Sequence, residues 1–579
     1  MIHFKFTEKD NRYLFIKYDN DKDLKDLRAL KSYINLVNPI CYLPTFRGIP
    51  FTEDFLFEYT QPSGDIVFYS SIGLCQDICN YFKENGIEYD GIDMSFFKRP
   101  VAHTFEQFKD IVKSWNLKFE PRPYQYEAAY KILQWKKSVS QLATRAGKTL
   151  ISYMIFRYLR EYCNVKRILM IVPSIDLVKQ AYNDFSEYAE FFKTECIWSG
   201  GKLVQSADMT VGTFQSLIKF IDKKSKKYDP SFFNGFDCVF VDETHRATGN
   251  QIKTIISQPF MKDLTLAFGM TGTLPKEHTI EHYCVRSLLG AKIQEINPKE
   301  LMDAGYISPI KIYQHRIKYK NIDKQSRLWD NLAEYALSDY VDEKNDKGQM
   351  THIKKNNPKF LVQYEKKRPI GMQQAKISIL KSADGEQKYK KFLKDLVKSS
   401  AGTNFLMIEK MMTHFMTERI DYLCYKVLPQ CPKNTLILCH HVEYIKYLES
   451  IIEERFPDRH VMVVYGAVSP KQRDVVKEML KSYNDCILIA SYSCMSTGLT
   501  LANLCYGVLF ESFKSNVVNM QSLGRGLGLS EMKNRYIVHD IIDVFDKDVA
   551  SNKIYLQGLA KCKIYSENKY DYEIVNKII

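Results

Sequence analysis

The sequence predicts an α/β protein in which two parallel sheets, each covered by helices on both faces, follow one another along the chain behind a small α+β module. Three observations carry this expectation. Short apolar runs alternate with helix-like stretches between about residues 119 and 308, and again between about 433 and 546. A Gly-Lys-Thr triplet closes the run LATRAGKT (142–149), where a strand would turn into a helix. Further on, the apolar run CVFVDETH delivers the adjacent carboxylates Asp242 and Glu243.

Residues 1 to about 100 read as the small module, with IHFKFTE, YLFIKYD and DIVFYSS as strands and GLCQDICNYFKENG as a helix. In the first repeat of the pattern the strands are RILMIVP (167–173), CVFVDE (238–243) and LTLAFGMTGT (264–273), with SIDLVKQAYNDFSEYAEFF as an intervening helix. Residues 311–430 lack the alternation and form either an inserted helical subdomain or an extended basic linker. In the second repeat the strands are TLILCHH, HVMVVYG, CILIASY, YGVLFES and RYIVHDIID. The expected domains are therefore 1–100, 101–310, 311–430 and 431–579, in keeping with a 579-residue chain.

Composition narrows the class. No segment reaches the ~18 uninterrupted apolar residues of a membrane span, and MIHFKFTEKD lacks a basic-then-apolar leader, so a soluble, non-secreted protein is expected. The 14 cysteines are scattered among apolar positions, as reduced buried thiols would be. Cys75 and Cys79 lie one helical turn apart, and Cys424, Cys431 and Cys439 with His440 and His441 contain no C-x-x-C pair; no structural zinc is expected. A net charge of +14 points to a polyanionic partner. Residues 311–400 hold 21 Lys and Arg against 11 Asp and Glu, an excess of 21 − 11 = 10. That stretch is either a solvated basic surface or a set of phosphate contacts.

The motifs point to nucleotide hydrolysis. Backbone N–H groups of Thr144, Arg145, Ala146 and Gly147 and the helix N-terminus would face phosphate, Lys148 would neutralise it, and Thr149 would ligate Mg²⁺. Leu142 stands where the first glycine of the general loop pattern belongs. Asp242 would join the magnesium shell and Glu243 would hold a water for in-line attack. Upstream, Gln125 in PRPYQYEAA can read both edges of adenine, flanked by Arg122 and by Phe119 or Tyr124; the alternative is an exposed glutamine on a proline-initiated helix. Thr271-Gly272-Thr273 is a hydroxyl-rich turn at a strand end. Pro173-Ser174 and Gly212 to Ser216, with Thr213, Gln215 and Ser216, offer groups suited to a phosphodiester backbone. In the second repeat the candidates are SYSCMSTGLT, containing Thr497, and QSLGRGLG, whose Arg525 is a candidate arginine finger.

PYQ, A-T-x-A-G-K-T, D-E-T-H, T-G-T, S-T-G and Q-x-x-G-R together resemble a superfamily 2 helicase, and more narrowly the UvsW-type phage DNA helicases, over almost the whole chain. The resemblance implies two RecA-like parallel-sheet motor domains in tandem, with a small N-terminal DNA-binding domain. It implies an ATP- and Mg²⁺-dependent motor that remodels forks, junctions and R-loops during phage replication and recombination. Carried over by position, the ATP site is Gln125, Thr144 to Thr149, Asp242, Glu243, His245 and Arg525 with Gln521, and Thr213, Ser216 and Thr497 are nucleic-acid contacts. The implied partners are branched or single-stranded DNA, RNA where hybrids form, and proteins of replication or recombination. A monomer in an infected cell's cytoplasm, with no membrane association, is expected. One departure is Gly528, where the family pattern carries a second arginine; loss of a finger costs on the order of 10³ in rate. Either Arg525 alone suffices, Arg535 or Lys533 substitutes, or hydrolysis is slow. The rival readings are an RNA-directed motor of the same superfamily and an ATP-binding nucleic-acid scaffold with weak turnover.

Overall fold

The structure is a computed structural model that describes residues 1–6, 13–38, 41, 50–92, 97–188, 191, 194–197, 207–246, 254–255, 266–320, 340–344, 350–354, 413, 417–495, 501, 503–512, 515–544 and 552–579. They form two compact units, Met1–Asn297 and Pro298–Ile579.

The first unit opens with a five-stranded sheet. Its strands β1 (Ile2–Phe6), β2 (Tyr13–Tyr18), β3 (Leu56–Thr60), β4 (Ile66–Ser71) and β5 (Tyr89–Asp90) run in the order β3-β4-β2-β1-β5, antiparallel except where β1 meets β5. Period-two alternation places Ile2, Phe4, Leu14, Ile16, Leu56 and Phe68 on one face. Leu27, Leu30 and Ile34 of α1 (Asp21–Ile34) and Ile78, Cys79 and Phe82 of α2 (Cys75–Glu84) cluster with them. The Asn20 side chain starts α1 by accepting the Asp23 N–H at 3.0 Å.

The rest of this unit is a seven-stranded, all-parallel sheet. The strands are β6 (Lys137–Leu142), β7 (Ile168–Val172), β8 (Thr194–Ile197), β9 (Met209–Thr213), β10 (Cys238–Asp242), β11 (Leu266–Thr271) and β12 (Ala291–Ile296), in the order β8-β9-β7-β10-β11-β6-β12. Every residue of β7, β9 and β11 is buried, the signature of parallel strands covered on both faces. Helix α3 (Pro123–Leu133) packs on α4 (Lys148–Tyr162), and α4 on α5 (Ile175–Tyr188). After β11 comes α6 (Ile280–Leu289), whose Arg286 and His282 bind the Asp77 carboxylate of α2 at 3.1 and 2.9 Å and so dock the N-terminal module.

The second unit is another seven-stranded parallel sheet, order β15-β16-β14-β17-β18-β13-β19. Its strands are β13 (Ile310–Lys318), β14 (Thr435–Cys439), β15 (Val461–Val464), β16 (Ile487–Ser491), β17 (Tyr506–Leu509), β18 (Tyr536–Val544) and β19 (Asp571–Ile578). The helices are α7 (Thr417–Tyr422), α8 (Val442–Arg455), α9 (Pro470–Ser482), α10 (Asn516–Gly524) and α11 (Lys553–Glu567).

The expected insert is corrected at both ends. Residues 310–318 belong to the second sheet as β13, paired along β18 and β19, because their polar side chains have buried partners. Gln314 donates to Asp540 at 3.0 Å, and His315 bonds Tyr422 at 2.8 Å and His539 at 2.9 Å. Ile420, Leu423, Val427 and Leu428 are likewise in the unit's core. Between these ends, Tyr340–Lys344 and Met350–Lys354 pair as an antiparallel hairpin, and the basic residues between 355 and 412 lie outside the described residues.

On β18, Asp540 and Asp543 point to opposite faces. Lys561 of α11 and Tyr565 bind Asp540, whereas Arg419 of α7 and Tyr319 bind Asp543 at 2.8 and 2.5 Å.

Burial holds His315 and His539 neutral, lowering their pKa values to about 4 and about 3. An unfolded chain binds these protons near pH ~6.5, so between that pH and about 4 it carries more protons than the folded unit. Stability from this pair should therefore fall as pH drops through that window and be flat above it. Thermal melts at about pH 7.5, 6 and 5 check this, and His315→Gln with His539→Gln should flatten the slope; an undiminished slope would place its origin elsewhere.

Candidate functional site

The candidate residues of the first unit meet at the carboxyl edge of its sheet. There β6 leads into the 143–147 loop, β10 ends in Asp242 and β11 ends in Thr271. Because β11 lies between β6 and β10, its end faces both neighbours, and this edge is where open α/β sheets bind ligands.

The loop is a tight turn. Arg145 and Gly147 adopt left-handed backbone, with φ of 71° and 78°, and Gly147 is the N-cap of α4. A Cβ at Gly147 would collide with Gln125 Nε2, so glycine is needed for close approach as well as for its φ. Gln125 is buried; its Nε2 donates to Ala146 O at 2.9 Å and its Oε1 accepts the Arg122 N–H at 2.8 Å. The Tyr124 hydroxyl also donates to Ala146 O, at 2.9 Å. Gln125 is thus placed against the 143–147 loop itself, and its amide supports the loop's backbone. Phe119 is 48% exposed and meets Tyr188 edge-on.

Lys148, at the first position of α4, donates to Glu243 Oε1 at 2.9 Å. The other oxygen, Oε2, accepts from the Thr271 hydroxyl at 3.2 Å and lies 3.3 Å from His245 Nδ1, which also contacts Thr271 Oγ1 at 2.8 Å. Left-handed backbone at Glu243 (φ 51°) aims its N–H at Asp242 Oδ1, 2.9 Å away. Burial would push both carboxyls up. For Asp242 burial wins, reinforced by the neighbouring negative charge of Glu243. For Glu243 the Lys148 ammonium and the His245 hydrogen bond overcome burial and hold the carboxyl well below the usual range.

Thr149 hydrogen-bonds Asp184 of α5, whose carboxyl is pushed up by burial. Asp184 lies within an amphipathic helix and carries no motif, so nothing in the sequence singles it out. Tyr124 and Thr271 are visible there only as parts of motifs, without their individual partners.

The nucleic-acid candidates of this unit sit at the ends of the adjacent strands β7 and β9. Ser174 caps α5, accepting the Leu177 N–H at 3.4 Å. Thr213 Oγ1 accepts the Ser216 N–H at 3.3 Å and donates to Ser216 Oγ at 3.0 Å, and both residues are buried. Pro173 is buried and Gln215 is exposed. Thr497 lies outside the described residues.

In the second unit, Arg525 follows α10 and donates from Nε to Met495 O at 2.8 Å. Gln521 is buried, and its Oε1 has no hydrogen-bond partner among the described residues. Gly526 lies flat on the Tyr536 ring, where a Cβ would collide with the ring. The half-buried Lys533 ammonium is held by the Leu504 and Gly526 carbonyls above that ring, so it is engaged within its own unit; Arg535 is exposed.

Both units match known protein families. Residues 118–276 match the family model of the type III restriction enzyme res subunit, and 418–527 match the helicase conserved C-terminal domain. Two parallel sheets, a tight strand-to-helix loop beside an acidic pair, and these two matches make the chain similar to superfamily 2 helicases. It is similar to the ATP-dependent DNA helicase UvsW of Enterobacteria phage T4, 24% identical over 478 residues, or 80% of this chain and 78% of that protein. It is also 26% identical over 302 residues to the DNA 3'-5' translocase XPB2 of Sulfurisphaera tokodaii, covering 52% of this chain and 60% of that one. A solved structure of T4 UvsW aligns over 100% of this chain and 99% of that one at 19% identity, with a TM-score of 0.40.

The close approach of Gly147 and Gln125 gives a direct test. Gly147→Ala should lower the melting temperature of the first unit, by about 1–3 kcal/mol in stability from strain and contact. Adding Gln125→Ala removes the contact but leaves the φ strain, so the double variant should recover part of the loss. If the two effects simply add, the contact is not the cause.

Proposed function

We propose that this chain is an ATP-dependent DNA helicase or translocase that remodels branched DNA, acting in a phage's replication and recombination. The observation that carries the reading is the convergence of Lys148, Asp242, Glu243, His245 and Thr271 at one sheet edge. The names of the two relatives, a DNA helicase and a DNA translocase, support DNA as the substrate.

The oxygen donors present, the Thr149 hydroxyl and the Asp242 carboxylate, fit a magnesium nucleotide, and burial of Asp242 leaves a site that a cation would satisfy. Such an ion supplies charge neutralisation on the phosphates. The chain's residues do the rest. Lys148 exchanges the Glu243 carboxylate for phosphate oxygens, and the N-terminus of α4 offers its N–H groups to the same oxygens. Glu243, already ionised and released from Lys148, orients the attacking water, while His245 and Thr271 hold its second oxygen in place. Arg525 supplies positive charge needed chiefly in the transition state.

Lys148→Ala should abolish ATP turnover while leaving salt-sensitive DNA binding in place; surviving turnover would show that the loop is misassigned. Arg525→Ala should lower kcat by on the order of 10³ with little change in ATP affinity, and an unchanged kcat would move the finger to another residue. Steady-state hydrolysis with single-stranded DNA, branched duplex DNA and single-stranded RNA decides the substrate. Stimulation by RNA alone would replace the DNA reading, and no stimulation by any polynucleotide would favour an ATP-binding scaffold.

A further inference from the structure

The N-terminal sheet has a second face, turned away from α1 and α2, and it is aromatic. Tyr13 and Phe15 of β2, Phe57 and Tyr59 of β3 and Tyr69 of β4 share it. Tyr69 is the hub. The Phe57 ring stacks on it at 5.0 Å with planes 16° apart, Tyr13 and Tyr59 meet it edge-on at 5.9 Å each, and Phe15 lies at 6.2 Å. Tyr13, Phe57 and Tyr59 are 37%, 38% and 39% exposed, so three rings present area to solvent that the core does not use. Single exposed aromatics are ordinary, but a contiguous five-ring cluster is a binding feature.

Charge indicates the occupant. Exposed Lys5 lies directly opposite Phe15 in the β1/β2 register, and exposed Lys17 follows two residues later on the same face of β2. Carboxylates bordering the sheet are already engaged. Asp19 and Asp90 take the two ring nitrogens of His3, Ser63 donates to Asp65, and Arg28 and Lys31 bind Glu58. The face is therefore flat, apolar and cationic at one side. A duplex hides the faces of its bases, whereas unpaired bases offer them for stacking while their phosphates reach flanking lysines.

We propose that this face is a stacking platform for unpaired bases of a single nucleic-acid strand, with Lys5 and Lys17 contacting its phosphates. It rests on the reading of the chain as a nucleic-acid motor and gives that motor a strand-holding site apart from its phosphate-loop domain. At a branch point such a platform would retain one separated strand.

The test uses the full chain without ATP and a fluorescently labelled oligothymidylate, with a blunt duplex of the same length as control. Phe57→Ala and Tyr13→Ala alter exposed rings and should each raise the Kd for the single strand by about tenfold, as expected for loss of one base stack, while moving the duplex Kd by less than about twofold. Tyr59→Trp should retain affinity and add an indole fluorescence signal that an unlabelled oligothymidylate quenches. Unchanged single-strand binding in both alanine variants would overturn the platform. So would equal losses for single strand and duplex, or indole fluorescence left unquenched in the Tyr59→Trp variant at saturating oligonucleotide. ATP hydrolysis by the wild-type chain with the same oligonucleotide is measured alongside. Stimulation there with unaffected alanine variants refutes the platform alone, whereas no stimulation by this oligonucleotide, by branched duplex DNA or by RNA refutes the motor reading independently.

Discussion

Two carboxylates side by side at the end of a buried strand repel each other and lose hydration, and the first unit is arranged to make that tenable. The Lys148–Glu243 pair does most of it. For the ammonium to reach Glu243, β6 must be close enough to β10 to share an edge, and the short loop after β6 must turn sharply, which Gly147 permits. Gln125 and Tyr124 then fix that loop from α3 through one carbonyl, Ala146 O. The interaction is local and polar, yet it requires strand order, loop conformation and helix packing all at once.

The second unit solves a similar problem with cations from two helices. Its strand β18 carries a carboxylate on each face, and each is met by a cation from a different helix, Lys561 from α11 and Arg419 from α7. Such buried pairs contribute little net stability against apolar packing, but removing one partner costs about 3–5 kcal/mol. Their effect is to define which helix covers which face. Arg419 also reaches the Phe510 carbonyl and stacks on its ring, so the residues just before β14 are locked into the unit's core.

Much of this was legible in the chain. Runs such as ILMIV, CVFVD and ILIAS are apolar almost throughout because parallel strands are buried on both faces, and each is a strand in the structure. The 143–147 loop and the D-E-T-H residues lie side by side, with Lys148 on Glu243. What escaped sequence reading depended on distant partners. β13 reads as polar and basic, and only Asp540, Tyr422, His539 and Tyr555, all far away in sequence, make Gln314, His315 and Arg316 acceptable in a sheet interior. Helix α1 is rich in Lys and Asp, and its stripe of Leu27, Leu30 and Ile34 is too sparse to stand out without the sheet beneath it. Thr213 and Ser216 are candidates for their hydroxyls, and the structure has them bonded to each other, a relation that spacing alone leaves open.

The position of β13 has a consequence for how the second unit is made. The strand is held between β18 and β19, so one of the earliest segments of this unit to be synthesised finds both sheet neighbours only among the latest, residues 536–544 and 571–578. On a ribosome emitting the chain from its N-terminus, β14 to β17 can assemble while β13 waits with its backbone donors and acceptors unpaired. The first unit has no such delay beyond residue 297. Synthesis order thus favours a completed first unit tethered to an unfinished second one, a span in which edge strands are open to mispairing and in which chaperones would have their work to do.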